Sequence, residues 1–117
     1  MIIIAVGSSA TLMLQQVKQD ALNGINGLVI VDPLPLTDLE GVDLEMKDLN
    51  LRLPLLDIAP EFNPRSDPKI RATNARREHQ NQYQQRILRG VSREFRGSEM
   101  RLVKAVRGWA EANYRAK

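Results

Sequence analysis

Hydrophobic positions are most sharply organised in the first thirty residues. Ile2, Ile3, Ile4, Ala5 and Val6 form a continuous apolar run rich in β-branched side chains. That pattern predicts a short strand buried on both faces. Gly7 and Ser8 interrupt it, and Ser9 is a suitable helix N-cap. Ala10, Met13, Leu14, Val17 and Ala21 then recur at helical spacing, which predicts an amphipathic helix over 9–23. Gly24 suits the position after a helix, and Asn26-Gly27 continues the turn. Leu28 to Val31 make a second apolar run, ended by Asp32-Pro33. Strand, helix and strand within this length predict a βαβ unit with parallel strands.

The pattern then changes. Residues 32–41, with two prolines, read as a loop. From Val42 a period of two runs through Leu44 and Met46, slips by one at Lys47-Asp48, and resumes at Leu49, Leu51 and Leu53. This predicts a strand with a bulge, or two strands joined by a tight turn, ending at Pro54. Residues 57–68 hold three of the six prolines and are expected to form a linker or wrapping loop. Asp67-Pro68 is a helix start, with Asp as N-cap and Pro at the first helical position.

From there the chain reads as helical to its end, with a break at Gly97-Ser98. On a helical wheel Arg86, Arg89, Arg93 and Arg96 fall within an arc of about 80°. Ile87, Leu88, Val91 and Phe95 lie on the other side. Upstream, Ala72, Ala75, His79 and Tyr83 make a weaker stripe that points about 130° away from that apolar face. The helix therefore breaks near Gln84, or its ends meet different neighbours. In the last helix Leu102, Val103, Val106, Trp109, Ala110 and Tyr114 share a face, and Leu102, Val106 and Trp109 are expected to be buried. The expected fold is α/β: a small βαβ-containing sheet of three or four strands, followed by two C-terminal basic helices. One domain spans 1–117, comprising the βαβ unit and further strand segment (1–56), a Pro-rich loop (57–67) and a basic helical segment (68–117).

Composition adds charge to this picture. The chain has 117 residues, no Cys, one His and a net charge of +3. Without Cys there is no thiol catalysis, thiolate metal site or disulfide. The first apolar run has no basic residue before it and is too short for a signal or a membrane span. The expectation is a cytoplasmic protein without a membrane partner. Residues 1–64 hold three basic and nine acidic residues, net −6. Residues 65–117 hold fourteen basic and five acidic residues, net +9. Such asymmetry points to an anionic partner, or to attraction between the halves within the fold or across a dimer. Eleven of the fourteen basic residues are Arg, whose planar fork suits phosphate and carboxylate.

Candidate chemistry follows from that bias. The stripe of Arg86, Arg89, Arg93 and Arg96, with Arg76, Arg77, Arg101, Lys104 and Arg107 close in sequence, is expected to meet nucleic-acid phosphates or an acidic protein surface. With two Tyr, two Phe and one Trp in the chain, stacking on single strands is disfavoured. The leading expectation is a non-enzymatic nucleic-acid-binding protein. The alternative is a small regulator or inhibitor, of the kind encoded by viruses or mobile elements, that docks on a larger protein. In that case either the basic helices or the acidic 38–48 segment does the docking. A third reading rests on Asp32 followed by Glu45-Met46-Lys47, a spacing similar to that of metal-dependent nucleases, in which carboxylates hold Mg²⁺. Alternation around Glu45 explains the same residues as a solvated face. Gly7, Ser8 and Ser9 form a weak anion-binding turn at a helix start, although no phosphate-loop motif is present. His79 has no partner for a catalytic triad and is read as a packing residue. No catalytic set, metal site or cofactor is expected. A homodimer through residues 70–90 is expected, because the 72/75/79/83 stripe has no obvious intramolecular partner.

Overall fold

The computed structural model describes residues 2–18, 24–34, 53–92, 94–95 and 97–114. Its elements run β1 (Ile2–Val6), α1 (Ser8–Lys18), β2 (Gly27–Val31), β3 (Leu55–Phe62), α2 (Pro68–Arg77), β4 (Tyr83–Ser92) and α3 (Glu99–Tyr114). The four strands form one parallel sheet in the order β1-β2-β3-β4. The expected βαβ unit is present, with Ile2 opposite Gly27 and Val6 opposite Val31. The alternating segment expected over 42–53 lies almost wholly outside the described residues.

Strand alternation divides the apolar side chains between two layers. Ile3, Ala5, Leu28, Ile30 and Leu55 turn to one face, where Ala10, Leu14 and Val17 of α1 cover them. Ile2, Val29, Val31, Leu56, Ile58 and Leu88 turn to the other, beneath Trp109, Leu102 and Val106 of α3. Helix α2 lies on the α1 side, since its Arg71 reaches Asp57, the neighbour of Leu56 and Ile58 on the opposite face of β3. Strand β2, with neighbours on both edges and both faces, is buried along its whole length. Of the three residues expected to be buried in α3, Trp109 is enclosed at 3% exposed, whereas Leu102 and Val106 are partly buried against the same layer.

Three expectations are corrected. The Pro-rich stretch expected to be a loop over 57–67 instead supplies most of β3. Its prolines do not prevent this, because the ladder demands no N–H from Pro60. The Asp32 N–H bonds the Ile58 carbonyl, so the backbone of Pro60, two residues on, faces the same side. There β2 has already ended, its register with β3 stopping at Val31 opposite Ile58. Proline is tolerated at such an unpaired position.

The second correction concerns residues 78–96. They were expected to be helical, but α2 ends at Arg77 and residues 83–92 form β4. Leu88 and Val91 are both buried in the layer under α3. In a regular strand, residues three apart point to opposite faces. Here Gly90 has φ +75°, and the register shifts from Pro60 opposite Leu88 to Phe62 opposite Ser92. Two steps of β3 thus match four of β4, and this bulge returns Val91 to the face of Leu88. The same i, i+3 spacing produces a helical reading in the sequence. The Arg stripe of a continuous helix is therefore not formed.

The third correction is β1. Among the described residues it has a strand neighbour on one side alone, and it is not enclosed on both faces: Ile4 and Val6 are each 54% exposed.

Candidate functional site

The bulged strand β4 is the other edge of the sheet, and α3 crosses the face beside it. Between them lies a groove of about 430 Å³, bounded by Arg86 and Arg89 of β4 and by Arg101 and Lys104 of α3. Its floor includes Leu88 and Ala105, and none of its described lining residues is a carboxylate. All four cationic residues are exposed. The Arg101 guanidinium donates to the Arg89 carbonyl, which ties the strand's backbone to the helix. Four of the nine basic residues singled out in the sequence thus meet, but through a strand and a helix rather than one helical stripe. Arg107 is exposed on α3 outside this lining, and Arg76 and Arg77 belong to α2 on the opposite face. Arg76 lines a separate cleft with His79 and Tyr83. Arg93 and Arg96 lie outside the described residues.

Beneath β4 a buried polar cluster sets its position. Arg71 and Asp57, each with a fully enclosed side chain, form a two-point ion pair, Nε to Oδ2 at 2.7 Å and Nη2 to Oδ1 at 3.1 Å. The Tyr83 hydroxyl and the Gln85 amide donate to the same Oδ2. Gln85 also donates to the Pro68 carbonyl at 2.7 Å. Arg71 donates to Ser66 Oγ, which donates onward to the Pro33 carbonyl. Burial, then the Asp57 charge and its hydrogen bond, push the Tyr83 phenol well above the ordinary tyrosine range. The cluster joins β3, α2 and β4 at the strand that carries Arg86 and Arg89. A fully satisfied buried network fixes one arrangement because each alternative strands a charge. Sequence reasoning missed it. Asp57 falls in the stretch expected to be a loop and Arg71 beside the basic residues expected to meet phosphates; the one local signal is a carboxylate inside the apolar run from Leu55 to Ala59.

The C-terminal ends of the parallel strands, the usual binding edge of an open α/β sheet, carry the other sequence candidates. Gly7 ends β1 with φ +63°, and α1 begins at the next residue. A sharp strand-to-helix turn with a strained residue at its tip is the arrangement that holds the nucleophile in α/β-hydrolases. Here the tip residue has no side chain, although a Cβ built there meets nothing within 4 Å. The turn therefore offers backbone groups and the exposed Ser8 and Ser9, whose hydroxyls follow the tip. Asp32, at the end of β2, is 1% exposed. Its two carboxylate oxygens accept from the Arg65 backbone N–H at 2.7 Å and from Arg65 Nε at 3.1 Å. It anchors the loop after β3. Glu45 and Lys47, the other residues of the nuclease reading, lie outside the described residues. No group of three metal-ligating side chains occurs among the described residues, and none of their helices is long and apolar enough to cross a membrane.

An open parallel α/β sheet with a cationic groove at one edge is the class this architecture defines. Residues 1–112 match the model of a family described as protein of unknown function (DUF3530), and the chain belongs to that family. No curated protein and no solved structure matches it.

Proposed function

We propose that the chain is a small binding protein whose β4/α3 groove holds the phosphates of a nucleic acid. The observation that carries this reading is the convergence of Arg86, Arg89, Arg101 and Lys104 on one groove without a carboxylate among its described lining residues. Two elements of different direction supply the cations, so the charge follows a line across the surface. The apolar floor of Leu88 and Ala105 gives no stacking platform, which favours backbone contact over base reading. A second reading, an acidic protein surface as partner, is favoured by Ile87 on the lip of the groove, 37% exposed. In that reading the chain is a small regulator or inhibitor that docks on a larger protein.

The test is a binding series on duplex DNA and structured RNA at rising salt. Each neutralised phosphate contributes a slope of about −0.9 in log K against log salt on duplex DNA. Four contacts give about −3.6. Replacing Arg86 and Lys104 by Gln should flatten the slope by about two units and weaken unrelated sequences alike. Absence of binding to either polymer at low salt overturns the nucleic-acid reading and leaves the protein-partner one.

A further inference from the structure

The stripe of Ala72, Ala75, His79 and Tyr83 takes no part in the groove on the α3 face. All four line a cleft of about 480 Å³ on the α2 face, where the end of α2 meets the start of β4. Ala72 and Ala75 form its apolar wall. Tyr83 and Gln85 form the strand side, and both are fixed by their bonds to Asp57. Arg76 and Asn81 join His79 in the lining, and all three are exposed. Among the described residues, nothing engages the Arg76 guanidinium, the His79 imidazole or the Asn81 side-chain amide. None of the described lining residues is a carboxylate.

The way α2 ends brings His79 to this cleft. The His79 N–H bonds the Arg76 carbonyl at 3.2 Å, and the Gln80 N–H bonds the Ala75 carbonyl at 2.9 Å. This pair of bonds closes a helix on one left-handed residue, which is usually glycine. Here it is His79, with φ +54°. Glycine has no Cβ and would sit there with less strain. No bond of the imidazole to a described residue offsets that strain, and a strained residue that lines a cleft points to use of its side chain. The α2 dipole opposes an anion at this end. But the carbonyls of Asn74, Ala75 and Arg76 already accept from the N–H groups of Glu78, Gln80 and His79. A ligand therefore meets side-chain donors rather than free carbonyls.

We propose that the cleft binds a small organic carboxylate with an apolar body. The Arg76 guanidinium pairs with the carboxylate through its planar fork. The His79 ring N–H and the Asn81 amide donate beside it. Ala72, Ala75 and the Tyr83 ring pack against the apolar body. Arg76 is the one permanent cation among the described lining residues, so a monoanion matches it charge for charge. A phosphate dianion would keep one charge unpaired. The volume lies in the range of small-molecule sites. The cleft shares no described lining residue with the β4/α3 groove, so the inference stands apart from the nucleic-acid reading.

NMR titration of the full chain with benzoate, acetate and benzamide tests it. His79 is the single histidine, so its ring signals report the cleft without ambiguity, and the backbone amide signals of 79–85 report it in every variant. Benzoate should shift both sets saturably. Acetate lacks the apolar body and benzamide lacks the charge, and each should bind at least about tenfold more weakly. Arg76→Gln changes an exposed residue, so the fold should persist while benzoate binding weakens by about tenfold or more. Arg107→Gln, on the other face, should leave binding unchanged. His79→Gly should raise the urea midpoint and yet weaken benzoate binding, opposite effects that a purely structural His79 would not give. The proposal is overturned if no saturable shift occurs at tens of millimolar benzoate, or if acetate binds as well as benzoate, a headgroup contact only. Undiminished binding in Arg76→Gln or His79→Gly overturns it as well. Ring signals that move with protein concentration alone would give the cleft to a second copy, and the proposal would fall with them.

Discussion

The two outermost strands of the described sheet, β1 and β4, differ in length, charge and anchoring. β4 is ten residues long, bulged, and bears two exposed arginines; β1 is five residues long, unbroken, and bears none. β4 is also bound from beneath by a hydrogen-bonded ion pair, whereas β1 rests on apolar packing by α1. One strand is therefore charged and fixed in place by a polar network, and the other is held by apolar packing alone. The difference puts the proposed anion contact on the strand that is locked from beneath.

The largest expected effect comes from removing the lock under β4. Arg71→Met leaves the Asp57 carboxylate buried without its cation and should cost about 3–5 kcal/mol in chemical denaturation. Native-state hydrogen exchange should show β4 amides losing protection first while β1 and β2 amides keep theirs. The double replacement Asp57→Leu with Arg71→Met removes both charges and should recover much of the loss. A single variant as stable as wild type would mean that the pair does not hold β4, and the contrast between the edges would lose its structural basis.

Next is the helix shared by both edges. Trp109 is enclosed under the sheet and meets Tyr114 edge-on at 5.8 Å. Trp109→Ala should cost about 3 kcal/mol, the low end for a buried Trp. The loss is reduced because the buried indole N–H has no hydrogen-bond partner, so its removal relieves a polar penalty. Since α3 carries Arg101 and Lys104, the variant should also weaken polyanion binding. A loss under about 1 kcal/mol would show that the indole is not enclosed in solution.

The β1 edge was legible in the sequence in its element, its helix and its parallel partner. Five β-branched or small apolar residues, a glycine turn and a 3.6-residue period are local signals. The exposure of its Ile4 and Val6 was not legible, because an all-apolar run reads as a strand covered on both faces. The β4 edge was misread for the opposite reason. Gly90 and the bulge gave Leu88 and Val91 a helical spacing, so a non-local pairing overrode a local pattern. Of the candidate site, the types of residue and four of their positions were legible. Their convergence was not, since Arg86 and Arg101 are brought together only by the turn between β4 and α3. The Asp57–Arg71 pair joins residues fourteen apart across a strand and a helix, a relation that no single-segment periodicity contains.

The smallest expected effect sharpens the β4 side through pH. Tyr83 donates to Asp57 and accepts from Gln85 at 2.8 Å. Its phenol is held above the ordinary value of 10.0, first by burial and then by the Asp57 charge. A raised phenol means that the folded state keeps its proton where the unfolded chain has lost it. The stabilisation is fully present below pH 10 and declines as pH rises above it. The decline is about 1.4 kcal/mol per pH unit while only the unfolded chain is ionised. Tyr83→Phe should cost about 1.5 kcal/mol at neutral pH, since Asp57 retains Arg71 and Gln85. The same variant should flatten the alkaline decline, so the two proteins converge above pH 10. The pH dependence of the urea midpoint measures both effects. A wild-type decline that Tyr83→Phe leaves unchanged would place the titrating group elsewhere and remove Tyr83 from the lock beneath β4.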